Sequence, residues 1–118
     1  MKVQGLAVDD RIYVRTTNDV RSYDKAGTMG PDIIVGTPYQ SSASRLALAV
    51  DADAVYYANV NAAEPLAVIR RPKGAASQPT IIGKTATAPT AIVLDGSFVY
   101  WTTSGGEIWR AGKNAKAQ

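Results

Sequence analysis

Three aspartates recur at nearly constant spacing and are the residues best placed for chemistry in this 118-residue chain. Asp9, Asp51 and Asp95 lie 42 and 44 residues apart, and each follows a short apolar run. Carboxylates contributed by successive repeats are oxygen ligands of the kind that Ca²⁺ prefers. The competing interpretation is structural, because an Asp before Gly, as at Asp95–Gly96, accepts hydrogen bonds from nearby backbone N–H groups in a turn. The acid recurs with the repeat itself, so we favour the structural role and keep a Ca²⁺ site as the alternative.

The amino-acid composition removes the usual catalytic groups. The sequence contains no His and no Cys, the residues that supply the commonest general base and the usual nucleophile pairs. It also contains no phosphate-binding Gly-rich motif and no paired-carboxylate motif. We therefore predict a protein that is not an enzyme, with no catalytic residue and no cofactor.

The charge pattern argues against nucleic acid and membrane partners. The formal net charge is +3, but the 13 basic residues are scattered and form only one adjacent pair, Arg70–Arg71. A nucleic-acid surface needs clustered positive charge. No apolar run approaches the 18 residues of a membrane-spanning helix, and the first ten residues lack the apolar segment of a signal peptide.

Aromatic residues follow each recurring aspartate. The recurring positions are Tyr13, Tyr56 and Tyr100, and the third repeat adds Trp101 and Trp109. Aromatic faces of this kind can stack on sugars, so a carbohydrate-binding protein is an alternative, with Tyr39, Tyr57 and Trp101 for stacking and Asn59 and Asn61 as hydrogen-bond donors. Their neighbours are apolar, however, which favours packing inside the protein.

The elements that carry these residues are short strands separated by turn residues. The aromatic strands read "RIYVRT", "AVYYANV" and "SFVYWTT", and the next strands read "DVRSYDK", "LAVIRRPK" and "GEIWRAGK". Fourth strands are predicted at 32–37 and 80–85. Helical periodicity is absent from the sequence, and β-branched and aromatic residues dominate the runs. The near-continuous apolar runs indicate sheets that are packed on both faces.

Four short strands in each 42–44 residues are typical of a β-propeller blade. A sandwich or barrel would explain the strands but not the recurring Asp–apolar–Tyr phrase. We therefore predict an all-β chain of four-stranded antiparallel blades, about 2.75 of them over residues 1–118. The blades are expected at about 5–38 and 46–86, with an incomplete third blade at about 90–113.

The segment "LDGSFVYWTTSGGEIWRAGK" resembles the YWTD-type repeats of six-bladed β-propellers, in their bacterial secreted or surface form. "VYWTT" at 99–103 is the best match, and "VYYAN" at 55–59 and "IYVRT" at 12–16 match progressively less well. The resemblance implies that these motifs fix packing and carry no catalysis. It also implies a secreted, periplasmic or cell-surface location, although this chain shows no signal peptide.

Three blades do not close a ring, so the sequence predicts a partner. We expect either a homodimer that forms a six-bladed ring or a complementary propeller fragment. The predicted function is a non-enzymatic module for protein interaction or scaffolding, with ligand loops that contain Asn18, Asp19, Asn59 and Asn61. The alternatives are a carbohydrate-binding propeller and part of a propeller lyase or hydrolase with an axial Ca²⁺.

Overall fold

Strands are the only regular elements in the part of the chain that the structure describes. A computed structural model describes residues 3–16, 20–27, 47–59, 67–73, 79–87 and 89–114. Its strands are β1 (Val3–Val8), β2 (Ile12–Thr16), β3 (Val20–Tyr23), β4 (Leu48–Val50), β5 (Ala54–Asn59), β6 (Ala67–Pro72), β7 (Thr80–Lys84), β8 (Pro89–Leu94), β9 (Phe98–Thr103) and β10 (Ile108–Gly112). The all-β prediction is confirmed. The predicted strand at 32–37 lies outside the described residues.

The strands form three antiparallel sheets, each in simple chain order. Sheet 1 contains β1, β2 and β3; sheet 2 contains β4 to β7; sheet 3 contains β8, β9 and β10. Consecutive strands pair with one another, which short connections in the sequence permit when the pairing is antiparallel. The four strands of sheet 2 and the three strands of sheet 3 agree with the sequence prediction, whereas the fourth strand predicted for sheet 1 falls outside the described residues.

The strand pairings show which residues occupy equivalent positions in the three sheets. Tyr13 lies opposite Ala7, Tyr56 opposite Ala49, and Tyr100 opposite Val93. We call the face of each sheet that carries these tyrosines its front face. The opposite face, which carries Ile12, Val55 or Val99 in the three sheets, is its back face.

Sheet 2 lies between the other two sheets and is buried on both faces. Tyr13, on the front face of sheet 1, packs with the back face of sheet 2 in a cluster of Tyr13, Val55, Tyr57, Ala67 and Ile69. The front face of sheet 2 packs on the back face of sheet 3 in a cluster that includes Tyr56, Ala58, Val68, Val99 and Trp101. Residues 54 to 58 of β5 are all buried. The continuous apolar run of β5 is therefore explained by packing on both sides, as predicted.

The two outer faces, in contrast, expose large apolar side chains. Leu6 and Val8 are exposed on the back face of sheet 1, and Val93 and Ile108 on the front face of sheet 3. Buried and half-buried residues alternate along β9 because only its back face meets another sheet. The described stack thus begins and ends with an apolar face. No helix in the described ranges is long and apolar enough to span a membrane.

Candidate functional site

The candidate site is built around the hairpin that connects β4 to β5. The Oδ1 atom of Asp51 accepts hydrogen bonds from the backbone N–H groups of Asp53 and Ala54, both at 2.9 Å. Its Oδ2 atom accepts a bond from the Tyr56 hydroxyl at 3.1 Å. Lys113 Nζ lies 2.9 Å from the same Oδ2 atom. The Asp51 carboxylate therefore bonds to its own turn, to Tyr56 in β5 and to Lys113 of sheet 3.

Asp95 holds the hairpin of sheet 3 in the same way. Its Oδ1 atom accepts bonds from the backbone N–H groups of Ser97 at 3.0 Å and Phe98 at 2.9 Å. The Tyr100 hydroxyl donates to Oδ2 at 2.9 Å. The structure thus places Asp95 in the turn role that favoured a structural interpretation over a Ca²⁺ ligand.

In sheet 1 the tyrosine and lysine contacts involve two aspartates, Asp9 and Asp10, and sequence reasoning missed the second. The paired positions Val8 and Ile12 are four residues apart, whereas the corresponding residues in sheets 2 and 3 are five apart. In the shorter hairpin the Tyr13 hydroxyl donates to Asp10 Oδ1 at 2.8 Å and not to Asp9. The spacing of the acids in the sequence points to Asp9 alone, because the residue missing from this hairpin becomes visible only in the strand pairing.

Lysine side chains connect each sheet to the preceding sheet. Lys73 follows β6, and its Nζ atom lies 3.0 Å from Asp9 Oδ2 and 2.7 Å from Asp10 Oδ1. Its ammonium also lies 5.1 Å from the centre of the Tyr13 ring. Lys113, which follows β10, makes the equivalent contact with Asp51. Both contacts therefore have the same direction, from a lysine in one sheet to the aspartate hairpin of the sheet before it.

These contacts shift the pKa values of the groups involved. Partial burial raises the pKa of Asp51, but the bond from Lys113 and those from the backbone N–H groups of Asp53 and Ala54 outweigh it and lower the pKa to about 2. Burial lowers the pKa of Lys73, whereas its bonds to Asp10 and Asp9 raise it, and the net pKa is raised. The charged forms are therefore the stable ones in the folded protein.

The Asp51–Lys113 contact borders a polar cavity of about 230 Å³ between sheets 2 and 3. The residues that line it are Asp51, Asp53, Tyr56, Arg70, Gly96, Ser97, Lys113 and Asn114. Arg70 Nε donates to the Tyr56 hydroxyl at 3.3 Å, so the polar groups around Asp51 already bond to one another. Among the described residues, no three acidic side chains gather as a metal site would need. The arrangement is suited to joining two sheets.

The described aromatic residues that were candidates for sugar stacking are mostly buried between the sheets. Trp101 is 2% exposed and Tyr57 is 7% exposed, and each lies in an inter-sheet cluster. Trp109 is 39% exposed and stacks on Trp101, with ring centroids 6.3 Å apart and an interplanar angle of 5°. Their contacts therefore match the packing interpretation, with Trp109 at the edge of the cluster.

The predicted loop residues lie almost entirely outside the described ranges. Asn18, Asp19 and Asn61 lie outside those ranges, and so does Tyr39, the third sugar-stacking candidate. Asn59 is described only as the last residue of β5. The ligand-loop assignment stays a prediction.

No protein-family model matches the chain, and no curated protein shows significant similarity to it. The YWTD-type resemblance therefore also stays a prediction.

The Asp51 contacts predict acid sensitivity. The pKa of Asp51 in the folded protein, about 2, lies below its ordinary value of 3.8. The stabilisation is therefore complete above about pH 4 and is lost as the pH falls toward 2. We expect Asp51 to contribute about 1–2 kcal/mol, less than the full shift implies because the carboxylate keeps some contact with water. Urea unfolding between about pH 5 and pH 2 measures this loss.

The matched variants for this measurement lie in the same hairpin. Asp51→Asn should reduce the slope of the unfolding free energy against pH, because the linked proton is removed. Asp53→Asn changes an exposed neighbour that makes no ion pair within the described residues. It should keep the wild-type slope. Equal slopes for wild type and Asp51→Asn would contradict the assignment.

Proposed function

We propose that this chain is a run of consecutive β-propeller blades that acts as a non-enzymatic scaffold for protein interaction. The first strands support the blade interpretation, since β1 contacts β4 and β4 contacts β8. Sheets 1 and 2 also pack their front faces on the back faces of sheets 2 and 3, as blades arranged around an axis do. The lysine–aspartate contacts repeat in the same direction.

The observation that carries the proposal is the exposure of the two outer faces, the back face of sheet 1 and the front face of sheet 3, which we call the end faces. Val68 of sheet 2 lies opposite Ala58, and its equivalent in sheet 3 is Ile108, opposite Thr102. Val68 is 0% exposed beneath sheet 3, whereas Ile108 is 80% exposed. Repeat arrays are stable when neighbouring units cover each apolar face, and uncovered faces promote association. Binding of further blades to these faces is therefore the function that the packing supports best.

The proposal predicts that the isolated chain associates through its end faces. Light scattering after size separation should give a mass above the 12.5 kDa of one chain. Ile108→Asp should shift the mass toward that of the monomer, because burying an unpaired carboxylate on the apolar face is unfavourable. Its fold should remain intact, since Ile108 is exposed within one chain.

The matched control places the same charge away from the face. Ser104→Asp changes an exposed residue in the turn that connects β9 to β10. It should leave the mass unchanged. A wild-type chain that is a stable, compact monomer at all concentrations would contradict the proposed function.

A further inference from the structure

We propose that the occupant of the exposed faces is a second copy of this chain. The front face of sheet 3 in one copy packs on the back face of sheet 1 in the other, and Asp95 of the first forms an ion pair with Lys25 of the second. The inference rests on the proposed function, because it needs end faces that bind. It adds the identity of the partner and the residues that fix the orientation of the contact.

The two internal interfaces share one ionic contact with the same direction. In both, a lysine that follows the third strand of one sheet reaches the aspartate hairpin on the front side of the preceding sheet. Lys73 and Lys113 occupy equivalent positions, because each comes three residues after the residue opposite the central tyrosine. Those residues are Arg70, opposite Tyr56, and Arg110, opposite Tyr100.

Sheet 1 has a lysine at the equivalent position, Lys25. Ser22 lies opposite Tyr13, so the equivalent position three residues later is Lys25. The side chain of Lys25 is exposed and forms no ion pair with any residue in the described ranges. The rule predicts that it points toward the hairpin of whichever sheet covers the back face of sheet 1.

The aspartate hairpin of sheet 3 has no lysine ion pair among the described residues. Asp95 accepts the same two backbone bonds and the same tyrosine bond as Asp51. Unlike Asp51, it forms no ion pair with a lysine or arginine of the described segments. Bonds from the backbone N–H groups of Phe98 and Ser97 and from Tyr100 lower the pKa of Asp95, and the charge of Lys113, whose own ion pair is with Asp51, lowers it a little further. The carboxylate is therefore charged at neutral pH. One face therefore offers an anion and the other a cation, at positions that pair within the stack.

The apolar surfaces around these charges are equivalent to surfaces that already pack together. On the back face, Leu6 corresponds to Leu48 and Val8 to Val50, which pack against the cluster between sheets 1 and 2. On the front face, Ile108 corresponds to Val68, within the cluster between sheets 2 and 3. A contact between copies can therefore repeat the internal contact in both its apolar and its ionic parts.

The symmetry of this contact defines a sharp experiment. Two copies joined front to back can make two identical contacts, which close the pair around a two-fold axis. Lys25→Glu alone places a glutamate against Asp95 in both contacts, and Asp95→Lys alone places two lysines together. An equimolar mixture of the two single variants gives a heterodimer with one native and one reversed ion pair. Both contacts are then attractive.

We expect each single variant to raise the dimer dissociation constant by roughly tenfold or more, since two attractive pairs become repulsive. The double variant Lys25→Glu/Asp95→Lys should recover most of the wild-type affinity, and so should the mixture of the single variants. Sedimentation equilibrium over a concentration series at low salt measures all four samples. Lys84→Glu, an exposed lysine at the end of β7, is the matched control and should leave the constant unchanged.

The outcomes separate this inference from the proposed function. If Asp95→Lys weakens its own turn, Lys25→Glu and the mixture still test the contact, because residue 25 lies in an exposed turn. A wild-type dimer that is insensitive to Lys25→Glu and unaffected by mixing overturns the ion pair and its orientation, while the proposed function stands. A dimer that Lys84→Glu weakens as strongly reflects net charge alone and also overturns the inference. A monomeric wild type overturns both.

Discussion

Trp101→Ala is expected to lower the free energy of unfolding by about 3–5 kcal/mol, the range for removing a buried aromatic side chain. Trp101 is 2% exposed and lies in the cluster that joins sheets 2 and 3. Its ring stacks on Trp109 and approaches the backbone of Gly83. Alanine would therefore leave a cavity that borders two sheets. Because the ring contributes to their interface, the loss weakens the attachment of sheet 3 as well as its own hairpin.

Chemical denaturation followed by circular dichroism measures this effect, and Trp109→Ala is the matched control. Trp109 is the same residue type in the neighbouring strand, but 39% of it is exposed. We expect Trp109→Ala to lower the free energy of unfolding clearly less than Trp101→Ala does, because less apolar surface returns to water. Equal losses for the two variants would contradict the assignment of Trp101 as the central residue of the interface.

Much of the local architecture could be predicted from the sequence, because turns and strands are short-range features. Residue types alone indicated the strands that became β5, β6 and β9, and the continuous apolar run of β5 indicated packing on both faces. The Asp95–Gly96 pair likewise pointed to a turn, and the carboxylate does accept bonds from the two backbone N–H groups that follow. In each case the interacting groups lie within a few residues of one another.

The ionic contacts between sheets could not be predicted in the same way. Lys73 and Asp9 are 64 residues apart, and their meeting depends on how one sheet stacks on the next. The third-strand segments of all three repeats end in lysine, which is the signal that could have suggested a repeated role. The exchange of Asp9 for Asp10 as the partner of Tyr13 depends on the length of one hairpin. A one-residue difference in a turn changes which carboxylate faces the strand.

The close approach between sheets 2 and 3 gives the second large effect. A Cβ atom at Gly83, in β7, would lie 2.6 Å and 2.7 Å from two ring carbons of Trp101. The ring cannot move away easily, because it is buried and stacked on Trp109. We expect Gly83→Ala to lower the free energy of unfolding by about 1–3 kcal/mol, the usual cost of overpacking. Gly112→Ala, a strand glycine with nothing within 4 Å of its added Cβ, should have little effect.

A double-mutant cycle shows whether the cost of Gly83→Ala comes from the ring itself. When Trp101 is already alanine, the methyl group enters the space that the ring has left. In that background Gly83→Ala should change the free energy of unfolding little or even raise it, because alanine loses less backbone entropy on folding than glycine. The coupling energy should therefore be about 1–3 kcal/mol, within the range measured for residues in contact. Additive losses would place the strain of Gly83→Ala elsewhere and would contradict the close packing of β7 against the back face of sheet 3.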